Sequence, residues 1–192
     1  MRTGIIVLIV LALLVMFGCG KYNGMVKQDE NVKNKWGAVQ SAYQRRADLI
    51  PNLVATVKGA ANFETETLTK VMEARASATR VNVNVDDLSP EKIQQYQAAQ
   101  GQLSQALGRL LAVSEAYPDL KANQNFRDLQ VQLEGTENRI NVARNDFNDA
   151  VNGYNSAIRT FPNNLVAGIT GFKAKGYFTA DEGAKDAPKV QF

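Results

Sequence analysis

Apolar residues recur along most of this chain at alternating spacings of three and four, the period of a helix that buries one face. The most regular run is Phe126, Leu133, Ile140, Phe147, Tyr154 and Phe161, one bulky residue in every heptad. Leu129, Thr136, Ala143, Ala150 and Ala157 fill the companion positions. Large residues alternating with small ones let neighbouring helices approach and interlock. The pattern predicts a helix over 123–160, about 57 Å long at 1.5 Å per residue, stopped by Pro162.

Three further segments carry the same period. Met25, Val32, Trp36, Val39 and Tyr43, with Ile50 just beyond, predict a first helix over 23–46. Asp29 and Arg46 lie on that apolar stripe, where a polar side chain is either at a seam end or paired inside it. Pro51 reads as the start of a second helix, with Asp48 as its N-cap, so a helical hairpin is expected near Pro51 rather than a kink in one long helix. The second helix is expected to reach Arg80 and to bury Leu53, Val54, Val57, Ala61, Leu68, Val71 and Ala78. The run Val81–Val85 alternates like a strand, but with nothing to pair with it reads as an extended connection. Ser89 as N-cap and Pro90 in the first turn open a third helix. It carries Ile93, Tyr96, Leu103, Leu107, Leu110 and Tyr117, and Pro118 closes it. The fold class that follows is all-α: an antiparallel four-helix bundle with long helices, preceded by an apolar N-terminal anchor.

That anchor is the uncharged run from Ile5 to Phe17, between Arg2 and Lys21. A spanning helix needs about 17–25 apolar residues, and residues 4–20 just reach the lower limit. A signal-peptide core needs only about 7–15. Cys19 follows Met16-Phe17-Gly18, a setting that resembles a bacterial lipoprotein processing site, which makes Cys19 the lipidation candidate. Lysines after the segment place the bundle in the cytoplasm by the positive-inside rule, whereas a cleaved signal places it outside. The extracytoplasmic side is favoured. The chain thus divides into an anchor or signal over 1–20, a helical domain over 21–180 and a polar tail over 181–192. Within the domain, the glycine-rich segment after Pro162 is expected to fold back over one end. The sharper alternative is that Phe172, Tyr177 and Phe178, with Lys173 and Lys175, touch a membrane surface or partner.

Composition narrows the chemistry. The 192 residues are 45% hydrophobic, with only five prolines and a net charge of +3. Basic and acidic residues alternate, and no basic stripe of the kind nucleic acid requires is visible. Histidine is absent and cysteine occurs once, which removes the usual general base and the usual transition-metal ligands. Metal binding would have to rest on carboxylates such as Glu115, Asp119, Glu134 and Glu137, whose neighbours are polar and solvent-like. No cofactor, metal or enzymatic activity is expected. The charged set Arg45, Arg46, Asp48, Arg75, Glu134, Glu137, Arg139 and Arg144 reads instead as an interhelical network. Arg45 or Arg46 is expected to meet Glu134 or Glu137 across the helices and fix their register.

Several long motifs carry a family resemblance. They are the run from Tyr43 to Val54, Glu73-Ala74-Arg75, the run from Ala116 to Asn123, the run from Leu133 to Ile140, Tyr154-Asn155 and Phe161-Pro162. On these the chain resembles the bacterial LemA family over nearly all of its soluble part. The resemblance implies a membrane-anchored helical-bundle protein of the cell envelope with no established catalytic activity. Cys19 at the membrane boundary departs from that pattern. Two functional classes follow: a tethered scaffold or protein-interaction module, held to the lipid bilayer through residues 4–20, or a carrier or envelope-enzyme accessory with a ligand cavity between helices.

Overall fold

The computed structural model describes residues 2–59 and 64–179. It is all-helical, with no strand among the described residues. The helices are α1 (Arg2–Lys58), α2 (Thr65–Arg80), α3 (Pro90–Ser114), α4 (Pro118–Ala122), α5 (Gln124–Arg159) and α6 (Asn163–Thr170). Ala61 and the polar tail from residue 181 lie outside the described residues.

Anchor and first helix are one element. α1 runs for 57 residues and contains Pro51, so the hairpin expected at Pro51 does not form there. Asp48 is accordingly a mid-helix residue that accepts a hydrogen bond from Gln44 (2.7 Å), not an N-cap. The stripe explains the continuity: Tyr43, Ile50, Leu53, Val54 and Val57 keep one helical face buried straight through the proline. A proline inside a helix removes one backbone hydrogen bond and costs about 3 kcal/mol or more. The carbonyl it leaves without a donor is that of Ala47, four residues back. Arg75 Nε of α2 donates to that oxygen at 2.8 Å. The defect in α1 thus becomes an attachment point for α2. The chain leaves the helix only at Gly59.

α1 packs chiefly along α5, and α2 along α3. Lys35 pairs with Asp146, and Arg46 with Glu137, so residue numbers fall along α5 as they rise along α1. Trp36 and Tyr43 both touch Tyr96 of α3. The first five heptad residues of α5, Phe126 to Tyr154, are buried, whereas Phe161 is 75% exposed. A helix of 3.6 residues per turn drifts about 20° per heptad. Over five heptads the seam therefore migrates, and Val151, Asn155 and Ile158 take over the buried face. α5 then ends at Arg159, short of Phe161.

The remaining expectations differ in detail. Residues 81–84 form neither helix nor strand, and Val81 is extended, in keeping with a connection. Ser89 occupies the N-cap position of α3 without a side-chain cap bond, and Pro90 opens the helix. α3 ends at Ser114, and Pro118 starts α4 rather than simply closing α3. The segment 171–179 lies back along α5 and α3 as an extended strap. Asn155 exchanges two hydrogen bonds with the backbone of Lys175, and Asn148 two with that of Phe178. Gln97 of α3 does the same for Thr179. Gly176 passes so close to α3 that an added Cβ would lie 2.6 Å from Pro90 Cα. Phe178 and Lys175 are buried by this strap, which removes them from the surface role considered for them.

The pairing of Arg75 with the proline-freed carbonyl makes a quantitative prediction. Arg75→Met is expected to cost about 1.5–3 kcal/mol, the range for a hydrogen bond from a charged donor. In a Pro51→Ala background the Ala47 carbonyl regains its helical donor, and the cost should shrink. Urea unfolding of the four proteins in this cycle measures it. Equal costs in both backgrounds would refute the compensation.

Candidate functional site

The apolar interior falls into two clusters. One surrounds Trp36 and includes Tyr43, Tyr96, Ile140, Phe147 and Phe178. The other includes Ile50, Leu53, Leu103, Leu107 and Leu133. Between them lies a polar layer, one residue from each of three seams: Arg46 of α1, Gln100 of α3 and Thr136 of α5. All three are buried. Thr136 satisfies itself on the Gln132 carbonyl.

Arg46 is 1% exposed. Its Nη1 donates to Ser104 Oγ (2.7 Å) and to Glu137 Oε1 (2.8 Å). Nη2 donates to Gln100 Oε1 (2.7 Å) and to the Gln100 carbonyl (3.2 Å). The guanidinium also stacks over the Tyr43 ring at 5.0 Å. Its Nε has no partner among the described residues. A buried charge is costly unless paired and hydrogen-bonded, and here the partners come from α3 and α5. The Arg46–Glu137 bond is one of the pairings expected from the sequence. Gln100 and Ser104 were not foreseen. The signal for Gln100 is a polar residue at a seam position of α3, between Tyr96 and Leu103.

The other charged candidates are distributed elsewhere. Arg75 caps the Ala47 carbonyl. Arg144 lies over the Phe178 ring and donates to the Thr179 carbonyl, pinning the strap. Glu134 is exposed and accepts only a 3.3 Å bond from Gln130. Glu115 pairs with Lys121, so the acids considered for metal binding do not converge. Arg45, Asp48 and Arg139 line an open groove of about 1330 Å³ between α1 and α5, together with Ala38, Ala42, Leu49 and Val142. A second, smaller cavity of about 270 Å³ lies beside Gln100 and Tyr96.

A second charged cluster sits where α1 enters the helical domain. Lys33 meets Asp86 (2.9 Å), Glu30 (3.1 Å) and Asp29 (3.3 Å). Buried Lys175 of the strap meets Asp29 at 2.8 Å. This cluster ties α1, the 81–89 connection and the strap together. The hydrogen bond to Asp86, then that to Glu30, hold the Lys33 ammonium above the usual lysine range. Burial pushes the Tyr154 phenol up to about 12, and pushes that of Tyr96 up as well.

A family model described as LemA family matches residues 35–192, a span that includes Arg46, Gln100 and Glu137. The chain belongs to the LemA family. A relative named protein LemA, from Metamycoplasma hominis, is 28% identical over 148 residues. That alignment covers 77% of this chain and 64% of the relative, so the chain spans less than two thirds of that LemA protein's length. Magnetosome protein MamQ of Magnetospirillum gryphiswaldense is 28% identical over 187 residues, 88% of this chain and 68% of that protein. Magnetosome protein MamQ 2 of Paramagnetospirillum magneticum matches at the same identity over 189 residues. The LemA match begins after Asp29, Glu30 and Lys33 but includes their partners Asp86 and Lys175.

Two outcomes follow from this geometry. Glu137→Gln strips a half-exposed counter-charge from a buried guanidinium and should cost about 1–2 kcal/mol, whereas Glu134→Gln should leave the melting temperature unchanged. Thermal melts of the two variants side by side decide this, and equal melting temperatures would contradict the role given to Glu137. The raised values of Tyr154, Tyr96 and Lys33 stabilise the fold fully below the ordinary values of these groups, about 10. That contribution is lost as pH rises through the elevated ones. The melting temperature should therefore fall above about pH 10, and Tyr154→Phe should blunt the fall. A melting profile flat to about pH 12 in the same titration would exclude it.

Proposed function

We propose that this LemA-family chain is a membrane-tethered scaffold or interaction module, not an enzyme, whose α1, α2, α3 and α5 form an antiparallel four-helix bundle. One observation carries the tether: α1 begins as an apolar stretch long enough to cross a bilayer, none of it buried against the protein. It then passes without a break into the stripe that starts at Met25 and is the core of the domain. Apolar side chains at Ile5, Leu8, Leu11, Leu13 and Phe17 face outward, an arrangement that lipid satisfies and water does not.

Support for the interaction role comes from the groove between α1 and α5. It is open and lined by apolar Ala38, Ala42, Leu49 and Val142 and by charged Arg45, Asp48 and Arg139. That composition suits a protein partner with an amphipathic helix. The cavity beside Gln100 is about 270 Å³, at the lower edge of small-molecule pockets, about 300–1,000 Å³; cavities of about 420 Å³ beside Lys33 and about 340 Å³ beside Met72 keep the carrier as a second reading. None of the relatives' names specifies a reaction. On this reading the bundle lies on the extracytoplasmic side of a bacterial membrane. Cys19, exposed on α1, is the point at which a lipid would replace the span.

Site-specific photocrosslinking in intact cells tests the scaffold role. A crosslinker at Val142 in the groove should give a discrete adduct that Arg139→Glu abolishes. The same crosslinker at Lys92, on the far surface, should give none. Adducts indifferent to position and to Arg139 would end the groove reading. Mass spectrometry of the purified protein's N-terminus separates span from lipid, since an intact Met1 excludes processing at Cys19.

A further inference from the structure

α6 exposes large apolar side chains that the domain does not need for its own packing. Ala167 is its buried residue. Leu165 is 58% exposed and Ile169, one turn on, 88%. Phe161, just before the helix, is 75% exposed. Residues four apart on a helix share a face, so Leu165 and Ile169 form one apolar edge. No charged residue occurs between Arg159 and Lys173, and both of these flanking cations are exposed.

The position of α6 identifies what covers that edge. α6 packs on α1. Ala167 shares a core cluster with Met25, and Phe172, two residues past the helix, packs on Tyr22 in a tilted ring pair with centroids 5.7 Å apart. Tyr22 lies five residues beyond Phe17, the last residue of the apolar run, or about 7.5 Å along the axis. Lys21 sits over the Phe17 ring between them, a pairing of aromatic and cation suited to a bilayer surface. α6 is therefore held at the level where α1 leaves the apolar phase. Amphipathic helices bury their apolar face about 5–10 Å into the headgroup boundary, and that is the depth available here. An apolar run at the short limit for spanning is accommodated by local thinning of the bilayer and by snorkelling of flanking side chains such as Lys21. Lipidation at Cys19 would put α6 at the same height.

We propose that α6 is a second membrane contact, an interfacial helix that inserts Leu165 and Ile169, with Phe161, among the lipid headgroups while Lys21, Arg159 and Lys173 meet the phosphates. The domain is then fixed in orientation on the bilayer at two points rather than swinging from one. This rests on the membrane tether proposed above. The full chain, carrying Cys19→Ser and a single new cysteine labelled with an environment-sensitive nitrobenzoxadiazole dye, is placed in vesicles of phosphatidylethanolamine and phosphatidylglycerol. Labels at Leu165→Cys and Ile169→Cys should show blue-shifted emission, quenching by shallow spin-labelled lipid and loss of quenching by aqueous iodide. A label at Val142→Cys, also an exposed apolar position, should remain open to iodide. If positions 165 and 169 quench with iodide as position 142 does, while a label at Phe17→Cys is quenched by lipid, the second contact is wrong and the tether stands. If the Phe17→Cys label is itself open to iodide, the tether fails and this proposal with it.

Discussion

A guanidinium buried at the centre of an apolar interior constrains everything around it. Arg46 cannot be desolvated alone, and its four hydrogen bonds draw partners from α3 and α5 at fixed heights. Sliding α1 by one turn against α5 would part Arg46 from Glu137 and place the charge opposite leucine or isoleucine. An apolar seam of near-equivalent layers tolerates such a slip far better, so we assign the polar layer a role in register. Because α1 also carries the apolar N-terminal segment, the same layer sets the height of the whole domain over the membrane to which we assign that segment.

The long-range order of the domain repeats one device: each irregularity of one element is satisfied by a side chain of another. The carbonyl freed by Pro51 takes Arg75. The strap lacks a strand to pair with, and Asn148, Asn155 and Gln97 supply its backbone partners in the manner of a ladder. The charges where α1 enters the domain are shared among α1, the 81–89 connection and Lys175. Buried polar groups must be paired, and in each case the pairing joins segments distant in sequence.

Much of this was legible in the sequence. The stripe from Met25 to Ile50 and the heptads from Phe126 to Tyr154 lie buried where their period puts them, and Arg46 stood out as a charge on an apolar stripe. What misled was local. Pro51 reads as a helix start because its ring and missing N–H speak against a helix interior, yet the apolar period runs through it and tertiary packing outweighs the defect. Phe161 continues the sequence heptad, but α5 ends at Arg159, before it. Nothing local marks the strap, whose partners are amide side chains up to 82 residues away. The groove residues Arg45, Asp48 and Arg139 belong to the same charged motifs as Arg46 and Glu137, and only the turn of the helix separates surface from core.

The account depends most on α1 being one unbroken rod from the apolar segment, through Pro51, to the far end of the domain. Pulsed electron–electron resonance between spin labels on unmodified Cys19 and on Ala55→Cys, in lipid nanodiscs, measures this directly. A continuous helix predicts a single narrow distance of about 54 Å, from 1.5 Å per residue, plus the reach of the labels. A broad distribution, or a distance shortened by a turn at Pro51, would contradict it.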